Sequence, residues 1–183
     1  LHLSCKALNL KKNDLVWTTP ITFAASANCA LHLGAKIDFV DIDKKTFCMS
    51  VESLELKLKF NQLNKKQMPK IIIPVHLAGQ SCDMKKMYYL SRKYNFKIIE
   101  DASHAIGSHY QNFKIGSCKY SDITVFSFHA VKVITTGEGG AVLTNNKKID
   151  TEIKNLRSHG ITRKMSQYLY PKKMQWYYEQ QNL

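Results

Sequence analysis

Apolar residues in this 183-residue chain fall into two kinds of short block. Runs rich in Val, Ile and Phe, bounded by Pro, Gly, Asn or Asp, predict strands. These are Leu15–Thr18, ended by Pro20, and Lys36–Val40, closed by Asp41-Ile42-Asp43, then Lys70–Val75, Phe96–Ile99, Ile123–Phe126 and Ala141–Leu143. Segments with helical spacing lie between them. Leu1–Leu10 reads as the end of a helix stopping near Asn9. Phe23–Leu33 is a small-residue helix with Thr22 as its N-cap and Gly34 as its stop. Ser50 caps Val51–Lys59, whose Leu54, Leu56 and Leu58 are only partly at helical spacing. Met84–Tyr94 puts Met84, Met87, Tyr88 and Leu90 on one side, and Ile149–Arg157 is the last helix. Beyond Arg163 the pattern weakens. Met165–Leu183 reads as a loop or as the start of an element whose partner is missing.

Strands alternating with helices predict an α/β domain with a mainly parallel sheet. Ligands of such sheets bind outside the carboxyl ends of the strands. No internal repeat interrupts the pattern. The composition adds boundaries. Hydrophobic content of 44% excludes a chain disordered by composition. No apolar run approaches the roughly 20 residues that span a bilayer, so no membrane partner is expected. The chain opens without an initiator Met or a signal-peptide pattern, in what reads as mid-helix, and is expected to be a piece of a longer protein, incomplete at both ends.

Lys+Arg is 27 against 14 Asp+Glu, a formal net charge of +13. A polyanionic partner is one meaning of that balance. A solvated, lysine-rich surface is the other, and it is preferred, because the lysines are spread from Lys6 to Lys173 without interleaved aromatics. No nucleic-acid partner is therefore expected. The five cysteines, Cys5, Cys29, Cys48, Cys82 and Cys118, are odd in number and widely spaced. They fit reduced thiols in a cytoplasm better than a disulfide framework or a zinc knuckle. The seven histidines have no H-x-x-x-H or H-E-x-x-H spacing, so no metal site is expected.

Two segments make sense only together. One is Glu100-Asp101-Ala102-Ser103-His104-Ala105-Ile106-Gly107, directly after Phe96–Ile99. The other is Ser127-Phe128-His129-Ala130-Val131-Lys132, followed by Thr135-Thr136-Gly137-Glu138-Gly139-Gly140. An acid at the end of one strand and a lysine just past another fit pyridoxal phosphate chemistry. That cofactor needs an amine to hold it as a Schiff base. It also needs a carboxylate to keep its pyridine nitrogen protonated. Each residue has a plainer alternative. Asp101 can simply cap a turn, and the glycines can form a hairpin turn. Ser127 donates to a phosphate or caps a turn. His104 reaches a cofactor ring oxygen or is a satisfied structural histidine. Phe23 stacks on a flat ring or packs in the core.

Together with Thr19-Pro20-Ile21-Thr22-Phe23-Ala24-Ala25-Ser26-Ala27-Asn28, Gly34–Asp43, Pro74-Val75-His76-Leu77-Ala78-Gly79-Gln80 and Arg157-Ser158-His159-Gly160, these segments resemble the DegT-type sugar aminotransferases along nearly all of the chain. The resemblance implies an aspartate-aminotransferase-like (fold type I) large domain with a mainly parallel sheet of the seven-stranded type. Residues 1–163 would belong to that domain, and 164–183 would lead towards a missing small domain. It implies Lys132 as the Schiff-base lysine and proton shuttle, Asp101 on the pyridine nitrogen, Ser127 on the phosphate, Phe23 against the ring and His104 beside it. It further implies a glycine-threonine phosphate loop just before Leu1, an asparagine from a neighbouring subunit, and a homodimer.

The form Ser127–Lys132 with Ile134-Thr135-Thr136 looks most like the pseudaminic acid branch, although Ala130 stands where that branch has proline. Members of the branch aminate C4 of a UDP-linked 4-keto-6-deoxy-N-acetylhexosamine, with glutamate as donor. The same fold acting on another nucleotide-linked keto sugar is the nearest alternative. Relatives that are dehydratases or regulators have the lysine replaced, and Lys132 argues against both. A basic nucleic-acid-binding module rests on charge alone.

Overall fold

A computed structural model describes residues 1–162 and 179–180. Its strands are β1 Leu15–Thr18, β2 Lys36–Phe39, β3 Ile71–Ile72, β4 Lys97–Asp101, β5 His109–Tyr110, β6 Phe113–Lys114, β7 Ile123–Ser127, β8 Gly140–Leu143, β9 Ile161–Thr162 and β10 Glu179–Gln180. Its helices are α1 His2–Ala7, α2 Ala25–Leu31, α3 Val51–Leu63, α4 Met84–Tyr94 and α5 Lys147–Arg157, with a one-turn 3-10 helix at Leu77–Gly79.

Among the described residues the central sheet has six strands, in the order β2-β1-β3-β4-β7-β8, where the resemblance implies seven. All neighbours in it run parallel except β7 and β8, which are antiparallel. From β1 the chain goes to β2 on one side and to β3 on the other. That reversal opens a crevice at the carboxyl ends of the strands, where sheets of this kind take ligands.

The sheet is covered on both faces, and the strand period of two does the sorting. Trp17, Ile72 and Ile98 point to the face packed by Leu54 and Leu58 of α3 and by Met84, Met87, Leu90 and Tyr94 of α4. Their neighbours Val16, Ile71, Ile73 and Ile99 point to the other face, with Cys5 of α1, Cys29 and Ala30 of α2 and Ile153 of α5. A third cluster, Ala102, Ala105, Ile115 and Phe126, packs at the carboxyl end of β4.

Several boundaries move from their predicted places. α4 starts and ends as predicted, with Asp83 accepting from Lys86 N–H as its cap. Ser50 caps α3 as expected, accepting from Ser53 N–H. That helix runs four residues beyond Lys59, because Asn61 turns inward and donates to Gln67 O. α2 begins at Ala25, with Ala24 at the N-cap position and no side-chain cap. Thr22 is not its cap; its hydroxyl meets Ser26 Oγ at 2.7 Å instead. α5 begins at Lys147, because Asn146 accepts from Lys148 and Ile149 N–H. The hairpin β5–β6, paired antiparallel, lies where no element was predicted. Apart from 179–180, the segment 164–183 lies outside the described residues.

Candidate active site

β4 carries Ile98, Ile99, Glu100 and Asp101 into the middle of the sheet, all buried. Alternation sends the two adjacent carboxylates to opposite faces. Glu100 goes to the α3–α4 side and Asp101 to the side of α2.

Asp101 ends the strand at the carboxyl edge and is 5% exposed. Its backbone is fixed on both sides: Asp101 N–H donates to Pro74 O at 2.9 Å, and His76 N–H donates to Asp101 O at 3.0 Å. Three donors converge on its carboxylate. Ser103 gives its N–H (3.2 Å) and its hydroxyl (2.6 Å) to Oδ1. Ser26 gives its hydroxyl to Oδ2 at 2.7 Å. These three bonds fix the orientation of the carboxylate.

Lys132 lies in the loop 128–139, which joins antiparallel β7 and β8. The loop's ends are tied by Phe128 N–H to Gly139 O (2.9 Å) and Thr136 N–H to Phe128 O (2.9 Å), and a turn donates Lys132 N–H to His129 O (2.9 Å). The side chain is half-buried, and its Nζ lies 3.2 Å from His104 Nε2. His104 Nδ1 accepts from Ala78 N–H at 3.3 Å. With Nδ1 occupied as an acceptor, a neutral ring carries its proton on Nε2, facing the amine.

The Ala78 donor comes from an unusual backbone. Ala78 is left-handed (φ 52°, ψ 24°), an uncommon state for a residue with a Cβ. Gly79 follows at φ 86°, and a Cβ there would come within 3.3 Å of His104 O and Ser108 Oγ. The turn therefore packs tightly under His104.

This turn hangs from a buried pair. His76 Nε2 lies 2.7 Å from Glu100 Oε2, and His76 Nδ1 accepts from Cys82 N–H at 3.2 Å. Glu100 Oε1 also accepts from Thr124 Oγ1 at 2.9 Å and from Ser121 Oγ. Burial pushes the Glu100 carboxyl up, but the bonds and charge of His76, with those of Ser121 and Thr124, outweigh it and hold the group below its ordinary value.

The other predicted residues lie around these groups. Ser127 ends β7, two residues past Val125, the register partner of Asp101, and its Oγ accepts from His129 N–H at 3.4 Å. Phe23 does not pack in the core: it is 76% exposed, and its carbonyl accepts from Ser26 N–H at 3.0 Å. Lys132 and His104 are thus directly connected, Asp101 ends the strand three residues before that histidine with Ser26 and Ser103 on its carboxylate, and Phe23 and Ser127 lie on neighbouring segments. Sequence reasoning missed Ser26, Ser103 and Ala78 as members of the site. Only Ser103 left a signal, since a serine two residues after an aspartate suits a side-chain-to-backbone turn.

A cleft of about 510 Å³, lined by residues that include Asp43, Ser50, Glu52, Gln80, Asp83 and His109, includes none of Phe23, Asp101, His104, Ser127 and Lys132. Among the described residues no cluster of three or more His, Cys, Asp or Glu is placed to hold a metal. None of their helices is long and apolar enough to cross a membrane.

Residues 1–175 match the model of the DegT/DnrJ/EryC1/StrS aminotransferase family. The chain is 47% identical over 164 residues to the UDP-4-amino-4,6-dideoxy-N-acetyl-beta-L-altrosamine transaminase of Campylobacter jejuni, covering 90% of this chain and 42% of that protein. Helicobacter pylori PseC, an aminotransferase of pseudaminic acid biosynthesis, superposes with a TM-score of 0.82 at 32% identity, over 100% of this chain and 45% of PseC. Bacillus subtilis NtdA, solved with bound cofactor PMP, superposes with a TM-score of 0.75 at 31% identity, over 87% of this chain and 34% of NtdA. The chain spans less than half the length of each. Matched over residues 1–175, the chain belongs to the DegT/DnrJ/EryC1/StrS aminotransferase family.

Proposed function

We propose that the protein of which this chain is part is a pyridoxal phosphate-dependent aminotransferase. It moves an amino group from glutamate to C4 of a UDP-linked 4-keto-6-deoxy-N-acetylhexosamine. One observation carries the cofactor assignment: a buried carboxylate at a strand's carboxyl end oriented by three donors, with a lysine amine engaged by the histidine three residues further on. The donor set fits pyridoxal phosphate. Asp101 offers a fixed negative charge for a ring nitrogen, Phe23 an exposed flat face, and Lys132 an amine without an ion-pair partner among the described residues.

Pyridoxal phosphate, when bound, supplies an aldehyde for covalent attachment and a ring that accepts an electron pair. The chain's residues do the rest. Asp101 holds the proton on the ring nitrogen, so the ring remains an electron sink. Phe23 covers one ring face and Ser127 binds the phosphate. Lys132 holds the cofactor, then serves as the base and acid that moves the substrate's proton. His104 keeps that amine in place through Nε2.

The sugar assignment rests on the Campylobacter jejuni transaminase and on PseC, which are similar to this chain well beyond the site. Cytoplasmic location and a homodimer belong to the same reading. The test uses the full-length protein loaded with pyridoxal phosphate. Glutamate should convert its absorbance to that of the amine form, and adding the UDP-4-keto sugar should restore the original band. Failure of the glutamate step would overturn the aminotransferase reading. Turnover of a differently linked keto sugar, with none of the UDP sugar, would overturn the substrate.

A further inference from the structure

Asp101 does not stand alone at the end of β4; it is the terminus of a hydrogen-bonded line that starts beside Phe23. Thr22 Oγ1 lies 2.7 Å from Ser26 Oγ, and Ser26 Oγ lies 2.7 Å from Asp101 Oδ2. An ionised carboxylate only accepts, so the Ser26 proton is committed to Asp101. Ser26 must then accept from Thr22, which fixes the line's direction as Thr22 to Ser26 to Asp101. Ser26 is fully buried, and it joins α2 to β4 across 75 positions of sequence.

The two carboxylate oxygens are loaded unequally. Oδ1 takes two donors, both from Ser103, while Oδ2 takes one, from Ser26. A carboxylate oxygen offers about two acceptor positions. The remaining acceptor position is therefore on Oδ2, and the Ser26 bond determines which way it faces. The same line ties Asp101 to the turn that carries Phe23, through Thr22 on one side and through Ser26 N–H to Phe23 O on the other.

We propose that Ser26 is a positioning residue that, with Thr22, aims Asp101 Oδ2 at the ring nitrogen of the cofactor and locks that aim to the Phe23 turn. The ring's edge and its face are then held by one unit rather than by two independent contacts. This rests on the assignment of Asp101 and Phe23 to pyridoxal phosphate made above.

The experiment compares Ser26→Ala, Ser26→Thr, Thr22→Val and Asp101→Asn in the full-length protein. It reads pyridoxal phosphate affinity, the induced circular dichroism of the bound cofactor, which reports ring tilt, and the thermal midpoint of the apo protein. A hydrogen bond to a charged group is worth about tenfold in an equilibrium constant. Ser26→Ala should therefore weaken affinity about tenfold and change the induced dichroism. Ser26→Thr keeps the hydroxyl and should restore both. Thr22→Val, in a half-buried turn outside the core, should give a change in the same direction and about threefold, whatever Ser26→Ala does to folding. Wild-type affinity and dichroism in Ser26→Ala and Thr22→Val, with both lost in Asp101→Asn, would overturn the positioning role and leave the cofactor assignment standing. Wild-type behaviour of Asp101→Asn would overturn the assignment itself.

Discussion

His76 Nε2 and Glu100 Oε2 lie 2.7 Å apart with both side chains sealed from solvent. Removing His76 leaves the Glu100 carboxylate buried with only the Ser121 and Thr124 hydroxyls to compensate it. His76→Ala should cost about 3–5 kcal/mol, a large part of the roughly 5–15 kcal/mol that holds a domain folded. Urea denaturation of the variant against wild type measures it. A loss within the usual few tenths for a surface site would show that the pair carries no load.

The same pair sets a pH dependence. Glu100 is held below its ordinary value of 4.5. A depressed carboxyl stabilises the fold fully above its unfolded value, and that stability is lost as pH falls through the lower, folded value. Stability should therefore be level above about pH 5 and fall below 4.5. Glu100→Gln should flatten that acid limb. Denaturation midpoints from pH 3 to 7 for both proteins decide the matter.

Lys132 should be the residue that carries the cofactor. Borohydride reduction of the full-length holoenzyme should leave the phosphopyridoxyl mass on the peptide containing Lys132. Label on another lysine would move the site elsewhere. Lys132→Arg should retain cofactor binding and lose turnover, since a guanidinium stays protonated and cannot shuttle a proton.

Asp101→Asn should preserve the fold, because the amide keeps the shape: its oxygen can still accept from Ser103, and its NH2 in place of Oδ2 can donate to Ser26 Oγ once that hydroxyl turns away. It should cost turnover by about 10²–10³, the rate equivalent of about 3–4 kcal/mol, since a neutral side chain no longer holds the ring proton. Steady-state kinetics with glutamate checks this. Turnover close to wild type would assign the ring proton to another acid.

Gly140→Ala tests the seat of the lysine loop. A Cβ at Gly140 would lie 2.8 Å from Phe126 O, a backbone atom that cannot rotate away. Separating β7 from β8 there should cost about 1–3 kcal/mol of stability. It should also lower the Lys132 labelling yield, because the loop closes on that pair of strands. Normal labelling with normal stability would show that the strands give way freely.

The sequence made some of this legible. Strand-ending Asp101 and loop-borne Lys132 follow from short apolar runs with punctuation, and both stand at the carboxyl edge of the sheet. β1 and α4 kept their predicted ends because Pro20 and Asp83 act locally. Ser26 was not legible. Its partner lies 75 residues away on a different element, and a serine among alanines in a helix pattern reads as filler. The antiparallel direction of β8 had a signal that went unused: only the loop 128–139, with no helix, joins it to β7, and a parallel return needs a crossover. The hairpin β5–β6 escaped notice because its two-residue strands show no period and its turn uses a left-handed Gln111 rather than glycine.

The ladder beneath the lysine loop has a mechanical consequence. Ser127 is paired with Gly140, and Phe128 with Gly139, so both ends of the loop are anchored one step apart on neighbouring strands. The anchor travels with the rigid sheet. In the proposed reaction, the flexible four-carbon stem of Lys132 moves on a loop whose two ends are held. The reach of that amine is then bounded by the length of one side chain and by a loop closed at both ends.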